Sequence, residues 1–270
     1  GSEMCIRDSL EAHFDEKKEE LVEILQTLLK MIFRPENLMV DFVGEEKAVG
    51  LLDAPVEAFK AALYTGSVEK EHYIPEVSRK NEGFLTSGQV NYVCRAGNFR
   101  KSGLNYTGAL RVLKVMLGYE YLWVNVRVKG GAYGCMCSFG RSGDSYFVSY
   151  RDPNLGRTID IYEKAADAIA EFTADERTMT QYIIGAVSDL DVPMNPAAKG
   201  LYSLSAYMTG LDDAALRRER EELLSATVED IRALSAHIRA FMQEDLLCVV
   251  GTASKVKEEQ DRFLKVENLF

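Results

Sequence analysis

Histidine is nearly absent from this chain. Its 270 residues include three, His13, His72 and His237, and no two of them share a helix face. His13-Phe-Asp-Glu16 is followed by Lys17 where a second imidazole would be needed. The paired-histidine motifs that seat zinc on one helix are therefore excluded, and all three histidines are read as surface residues. Also missing are a nucleophile elbow, a phosphate-binding loop and a dinucleotide fingerprint. Local motifs alone do not support a complete hydrolase.

Other shortages narrow the class further. No apolar run is long enough to span a bilayer, so no membrane partner is expected. Basic residues are outnumbered, 32 Lys and Arg against 42 Asp and Glu, for a net charge of −10. Phosphate recognition needs clustered cations, which argues against nucleic acid as a partner; the acidic excess is read as solubility. The five cysteines are odd in number in a long chain, which fits a reducing compartment better than a disulfide framework and gives an expected cytoplasmic location. Cys135 and Cys137 alternate along a strand-like run and are read as small buried apolar residues, because a metal site would need more ligands nearby.

What is present is globular: 47% hydrophobic and 27% charged residues. Residues 1–9 lack the apolar core of a signal peptide, and Gly1-Ser2 resembles a cloning scar, so they are expected to be a tag or non-native leader. Residues 10–33 carry Phe14, Leu21, Ile24, Leu25, Leu28, Leu29 and Ile32 at helical spacing. The apolar face of that helix, left exposed, would favour self-association. Leu38 to Val43 reads as a short buried strand, and Asp53-Ala-Pro55 starts a helix to about Leu63. Residues 65–82 are polar and read as a linker. Strands follow over Gly83–Ala96. A helix capped by Asn105 is expected to cover Leu110 to Leu117 and to continue or restart through Tyr121–Val128. Tyr133–Phe139 and Ser145–Tyr150 read as a hairpin turning at Gly140–Asp144. The remainder is mostly helical, with capping boxes at Thr173–Glu176 and Thr227–Asp230, then a strand at Leu246–Val250 and a final helix. Glu36-Asn-Leu-Met-Val40 resembles Glu244-Asp-Leu-Leu-Cys248 about one domain length later, which suggests an internal repeat.

One segment concentrates chemistry: Arg127-Val-Lys-Gly-Gly-Ala-Tyr133-Gly134. Arginine offers five donors in a permanently charged fork, and a tyrosine hydroxyl is a neutral donor near pH 7. Both can stabilise an oxygen that gains negative charge. Gly130 and Gly131 permit close backbone approach and positive φ. The following strand can accept an extended peptide by edge addition. The same spacing also fits a plain helix-to-strand turn, with Arg127 at a helix end and Tyr133 half-buried in a sheet.

This segment resembles the Arg/Tyr motif in the C-terminal half of insulinase-type (pitrilysin) zinc metallopeptidases, in the presequence-protease-like branch. Gln89-Val-Asn-Tyr-Val93 resembles the first strand of the last domain of that family, Ser149-Tyr-Arg-Asp-Pro-Asn154 the strand end and helix cap after the hairpin, and Asp191-Val-Pro and Lys199-Gly200 the later helical region, so that the likeness covers about residues 83–250. The resemblance implies four homologous α+β domains in two halves that close around a peptide. It implies that 10–64 is the tail of the third domain and 83–270 the fourth, with a mixed, largely antiparallel sheet and helices packed on one face. It implies catalytic roles for Arg127 and Tyr133, with Gly130, Gly131, Ala132 and Gly134 lining the substrate path. The partners would be an unfolded peptide and the N-terminal catalytic half of the same polypeptide. That half would carry the zinc, this chain binding no cofactor and being inactive alone. A non-catalytic scaffold subunit and a stand-alone peptide-binding module are the alternative expectations.

Overall fold

The computed structural model describes residues 10–68, 74, 78 and 80–269. Two compact units form, one from the described part of Gly1–Glu76 with Pro193–Gly210, the other from Val77–Val192 with Leu211–Phe270. His72, the leader at 1–9 and much of the expected linker lie outside the described residues.

The first unit holds helices α1 (Phe14–Ile32), α2 (Asp53–Ala62) and α7 (Pro196–Met208). Asp15 and Glu16 in the first turn of α1 and Lys30 in its last turn complement the helix dipole. The Asn37 amide donates to the Met31 and Ile32 carbonyls at 3.2 and 3.0 Å and so satisfies acceptors left open at the helix end. No residue of α1 is buried, and Phe14, Leu25, Leu29 and Ile32 are each about half exposed. The strand expected at Leu38–Val43 does not form. Met39, Val40, Phe42 and Val43 are exposed and unpaired. A strand exists through its ladder with a neighbour, and among the described residues of this unit there is no other strand to supply one. The resembling segment near Glu244 does become a strand, because it enters between two others.

The second unit is built on a six-stranded mixed sheet. Its strands are β1 (Glu82–Thr86), β2 (Asn91–Asn98), β3 (Gly134–Phe139), β4 (Asp144–Asp152), β5 (Leu246–Thr252) and β6 (Lys265–Asn268), in the order β3-β4-β2-β5-β1-β6. β1 runs parallel to β5 and β6, and the other three pairings are antiparallel. The period-two alternation of β2 turns Val93, Arg95 and Gly97 inward and Tyr92, Cys94 and Ala96 to the other face. Helix α10 (Ser235–Gln243) packs on the inward face, and Gly97 is required there, since a Cβ would lie 2.0 Å from the Phe241 carbonyl oxygen. Phe147 centres the core, with ring centroids 5.2 Å from Phe241 and 5.5 Å from Tyr162. The α+β class and one-sided helix packing expected from sequence are observed.

Three local expectations need correction. Asn105 does not cap helix α3 (Ala109–Met116). That helix starts from Gly108, whose N–H donates to the Glu222 carboxylate at 2.8 Å. Gly108 meets the chain around Glu219 too closely for any side chain, so tertiary packing sets this helix start. Helix α6 (Glu176–Leu190) is capped by Asp175, not Thr173: the Asp175 carboxylate accepts from Thr178 N–H at 2.8 Å. The box at Thr227–Asp230 forms as expected, with both reciprocal bonds. The chain after Gly251 is helical only over Ala253–Glu258 (α11) and ends on β6, whose four residues were too few to read as a strand.

Candidate functional site

After α3 the chain continues as π-helix, over Leu117–Tyr121 and again over Trp123–Val128. The wide turn is visible in Lys129 N–H, which donates to the Val124 carbonyl five residues back at 2.9 Å. This extra width carries Arg127 to the mouth of the loop that leads into β3. The loop is held at every residue. Gly131 N–H donates to Arg127 O at 2.8 Å, Ala132 N–H to Val126 O at 3.2 Å, and Tyr133 N–H to Arg151 O at 3.2 Å. The Arg127 guanidinium donates to the Tyr133 carbonyl.

The glycines divide by cause. A Cβ on Gly130 would lie 2.3 Å from the Val126 carbonyl oxygen, and Gly131 has φ +82°. Both positions therefore exclude other residues on backbone grounds. Gly134 has no atom within 4 Å of where its Cβ would be, so the fold itself does not demand glycine there. Ala132 is buried in the core, its side chain directed away from solvent.

Tyr133 is 62% exposed, unlike the half-buried residue of a plain turn. Its ring stands edge-on to Tyr150 at 5.6 Å between centroids, and Tyr150 in turn meets Tyr92 at 5.4 Å. The Arg127 guanidinium lies 4.3 Å from the Trp123 ring centroid and 5.6 Å from that of Tyr133. Trp123 thus provides a stacking floor that limits the rotamers of Arg127. Close by, burial pushes the Cys135 thiol up to about 11, partly offset by the Arg127 charge, so it is protonated at neutral pH.

Two supporting residues lie in the segment Ser149–Asn154, to which the sequence reading gave no site role. Arg151 occupies the left-handed region at φ +48°, its carbonyl accepts from Tyr133 N–H, and its guanidinium sits 5.9 Å from the Tyr133 ring centroid. Asn154 donates to the Gly130 carbonyl at 2.6 Å and is anchored by the buried Asp152, which accepts from Asn154 N–H at 2.8 Å and from the Thr158 hydroxyl at 2.7 Å. Asn91, also buried, donates to Asp152 O at 2.9 Å, tying this corner to the centre of the sheet. Asp-Pro-Asn is a turn signal that marks the place; nothing local marks Arg151.

The sheet and its one-sided helices match the fold of peptidase M16 domains. A structure of the peptidase M16 inactive domain from Pseudomonas fluorescens superposes with a TM-score of 0.53 at 16% identity, over 76% of this chain and 51% of that one. A protease from Helicobacter pylori gives 0.51 at 14% identity, over 77% and 52%. Residues 81–255 match the family model described as the PreP C-terminal domain, and the chain belongs to that family. It is 38% identical over 255 residues to Protein HypA of Clostridium perfringens, covering 94% of this chain and 26% of that protein. It is 30% identical over 267 residues to presequence protease 1 (chloroplastic/mitochondrial) of Arabidopsis thaliana, covering 96% and 24%. The chain thus spans about a quarter of the length of these relatives. Among the described residues, no helix is long and apolar enough to cross a membrane.

Proposed function

We propose that this chain is the C-terminal, substrate-binding half of a zinc-dependent metalloendopeptidase that degrades short unfolded peptides. In this reading 10–64 is the tail of the third homologous domain and 83–270 is the fourth. The observation that carries it is the meeting of Arg127 and Tyr133 at an exposed loop, on a backbone held at every residue. Arg127 spends one donor on the Tyr133 carbonyl and keeps the rest of its fork for a ligand. The exposed Tyr133 hydroxyl supplies a second, uncharged donor. Two such groups suit a carbonyl oxygen that gains charge as its carbon becomes tetrahedral, and removing one donor of this kind costs about 10²–10³ in rate.

Zinc is the metal this reading implies. Among the described residues no cluster of three or more His, Cys, Asp or Glu side chains could hold it. In this reading the zinc ligands belong to the N-terminal half, which would be this chain's partner. What the chain itself contributes is binding, orientation and charge stabilisation. Binding of a fluorescently labelled unfolded peptide to this chain tests that contribution directly. Arg127→Ala should weaken binding about tenfold, as expected for a hydrogen bond to a charged group. Equal affinity would remove Arg127 from the site.

A second reading is a non-catalytic scaffold of the same fold, favoured by the likeness to a domain described as inactive. The coding sequence upstream decides between them. A His-x-x-Glu-His motif there supports the peptidase, and its absence supports the scaffold.

A further inference from the structure

The outward face of the sheet carries a feature that the Arg127 site does not use. Cys94 on β2 and Cys248 on β5 are direct partners in the antiparallel ladder. Directly opposed residues sit about 4.5–5.5 Å apart at Cα and point to the same face. A disulfide accepts Cα separations of about 4.4–6.8 Å. Cys94 is half-buried, Cys248 is exposed, and both are free thiols.

The other described cysteines cannot compete. Cys94 faces Val148, and Val148 faces Met136, so Cys135 and Cys137 point to the opposite, helix-covered side. They also lie on β3, two strands from β2, or about 9–10 Å away.

We propose that Cys94 and Cys248 form a cross-strand dithiol, a covalent modification site that closes to a disulfide when the chain meets a small-molecule disulfide such as oxidised glutathione. The exposed Cys248 thiolate attacks one sulfur of the oxidant, whose S–S bond breaks and expels one glutathione thiolate. Cys94 then attacks the Cys248 sulfur of the mixed disulfide and expels the second. The two protein thiols are oxidised, the glutathione disulfide is reduced to two thiols, and the two protons move from the cysteines to the glutathiones.

Surrounding groups set the pace. Glu82 on β1 faces Cys248, Lys265 on β6 faces Glu82, Tyr92 flanks Cys94 on β2, and Tyr146 and Tyr150 lie on β4. Burial first, and then the neighbouring Cys248, push the Cys94 thiol up; burial and Glu82 do the same for Cys248. Reaction at neutral pH is accordingly slow, since the thiolate is the attacking species.

The folded chain is incubated with oxidised glutathione, quenched by alkylation, and examined by intact mass and peptide mapping. The expected product has lost two hydrogens, carries no glutathione, and joins the Cys94 peptide to the Cys248 peptide. Its Tm exceeds that of the reduced chain by several degrees, because the bond closes a loop of about 150 residues. Cys94→Ser should instead keep a stable glutathione adduct on Cys248. The same oxidation in denaturant should lose the Cys94–Cys248 preference, which shows that the native sheet directs it. A lasting glutathione adduct on Cys248 of the unmutated folded chain, a bond mapping to Cys5, Cys135 or Cys137, or no reaction overturns the proposal.

Discussion

Gly131 and Gly134 are four residues of chain from end to end, yet they face opposite demands. Gly131 sits at φ +82° beside Pro153, whereas Gly134 borders open space on an ordinary strand. Gly131→Ala should therefore lower the unfolding free energy of this chain by about 1–2 kcal/mol, the cost of left-handed backbone for an L-residue. Gly134→Ala should leave it within about 0.5 kcal/mol. Denaturant titration of both variants distinguishes these, and equal losses would mean that the loop backbone is not as described. Asn154 poses a different question. Its amide is the side-chain donor to the Gly130 carbonyl, and an Asp at that position places an acceptor there, next to the Asp152 carboxylate. Asn154→Asp should release the loop and weaken peptide binding to a similar extent as Arg127→Ala, although Arg127 and Tyr133 are unchanged. Full affinity in Asn154→Asp would show that this clamp does not position the site.

Among the elements, helix α8 (Asp213–Leu224) carries the clearest charge dependence. Its Glu219 is buried and accepts from Arg141 at 2.7 Å, from Arg111, and from Tyr106 at 3.2 Å. Burial pushes the Glu219 carboxyl up, but the two guanidiniums outweigh it and leave it below its ordinary value of 4.5. A carboxyl lowered on folding contributes stability that is present above its unfolded value and lost as pH falls through its folded value. Melting of the unmutated chain should therefore drop steeply as pH falls below about 4.5, and Glu219→Gln should melt lower at pH 7 with a shallower acid slope. Parallel curves for the two proteins would remove Glu219 from the acid transition. This network also shows why some elements were legible in sequence and others were not. Strands β1 to β5, α1, α2 and the hairpin turn at Gly143 announce themselves by local period and turn chemistry, which the fold respects. Leu38–Val43 has the same local signal and fails, because a ladder needs a partner that sequence pattern does not supply. The start of α3 fails for a related reason: Glu222, more than a hundred residues away, satisfies its first N–H. The helix through Tyr121–Val128 was legible, but its π-helical width around Arg127 was not, since a π turn differs from an α turn in hydrogen-bond spacing and not in residue type. At the site, Arg127, Tyr133 and the loop glycines were readable as residue types. The roles of Arg151, Trp123 and Tyr150 were not, because the widened helix brings Trp123 to Arg127 and the sheet brings Tyr150 and Arg151 to Tyr133.

For the molecule as a whole, the proposed function gives this chain half of a reaction centre. Its second unit presents two hydrogen-bond donors at an exposed loop and, among its described residues, no metal-binding cluster. Its first unit presents a helix with no buried residue, α1, whose apolar side chains remain half exposed. The chain spans about a quarter of the length of its relatives. The central claim is that Tyr133 and Arg127 hold the oxygen of the scissile carbonyl. The most direct measurement is kcat/KM of the full-length protein carrying this chain, with and without Tyr133→Phe, on a fluorogenic unfolded peptide. The ring and its contacts with Tyr150 persist in that variant and only the hydroxyl is lost. The account predicts a fall of about 10²–10³ with an unchanged melting temperature; an unchanged kcat/KM would contradict it.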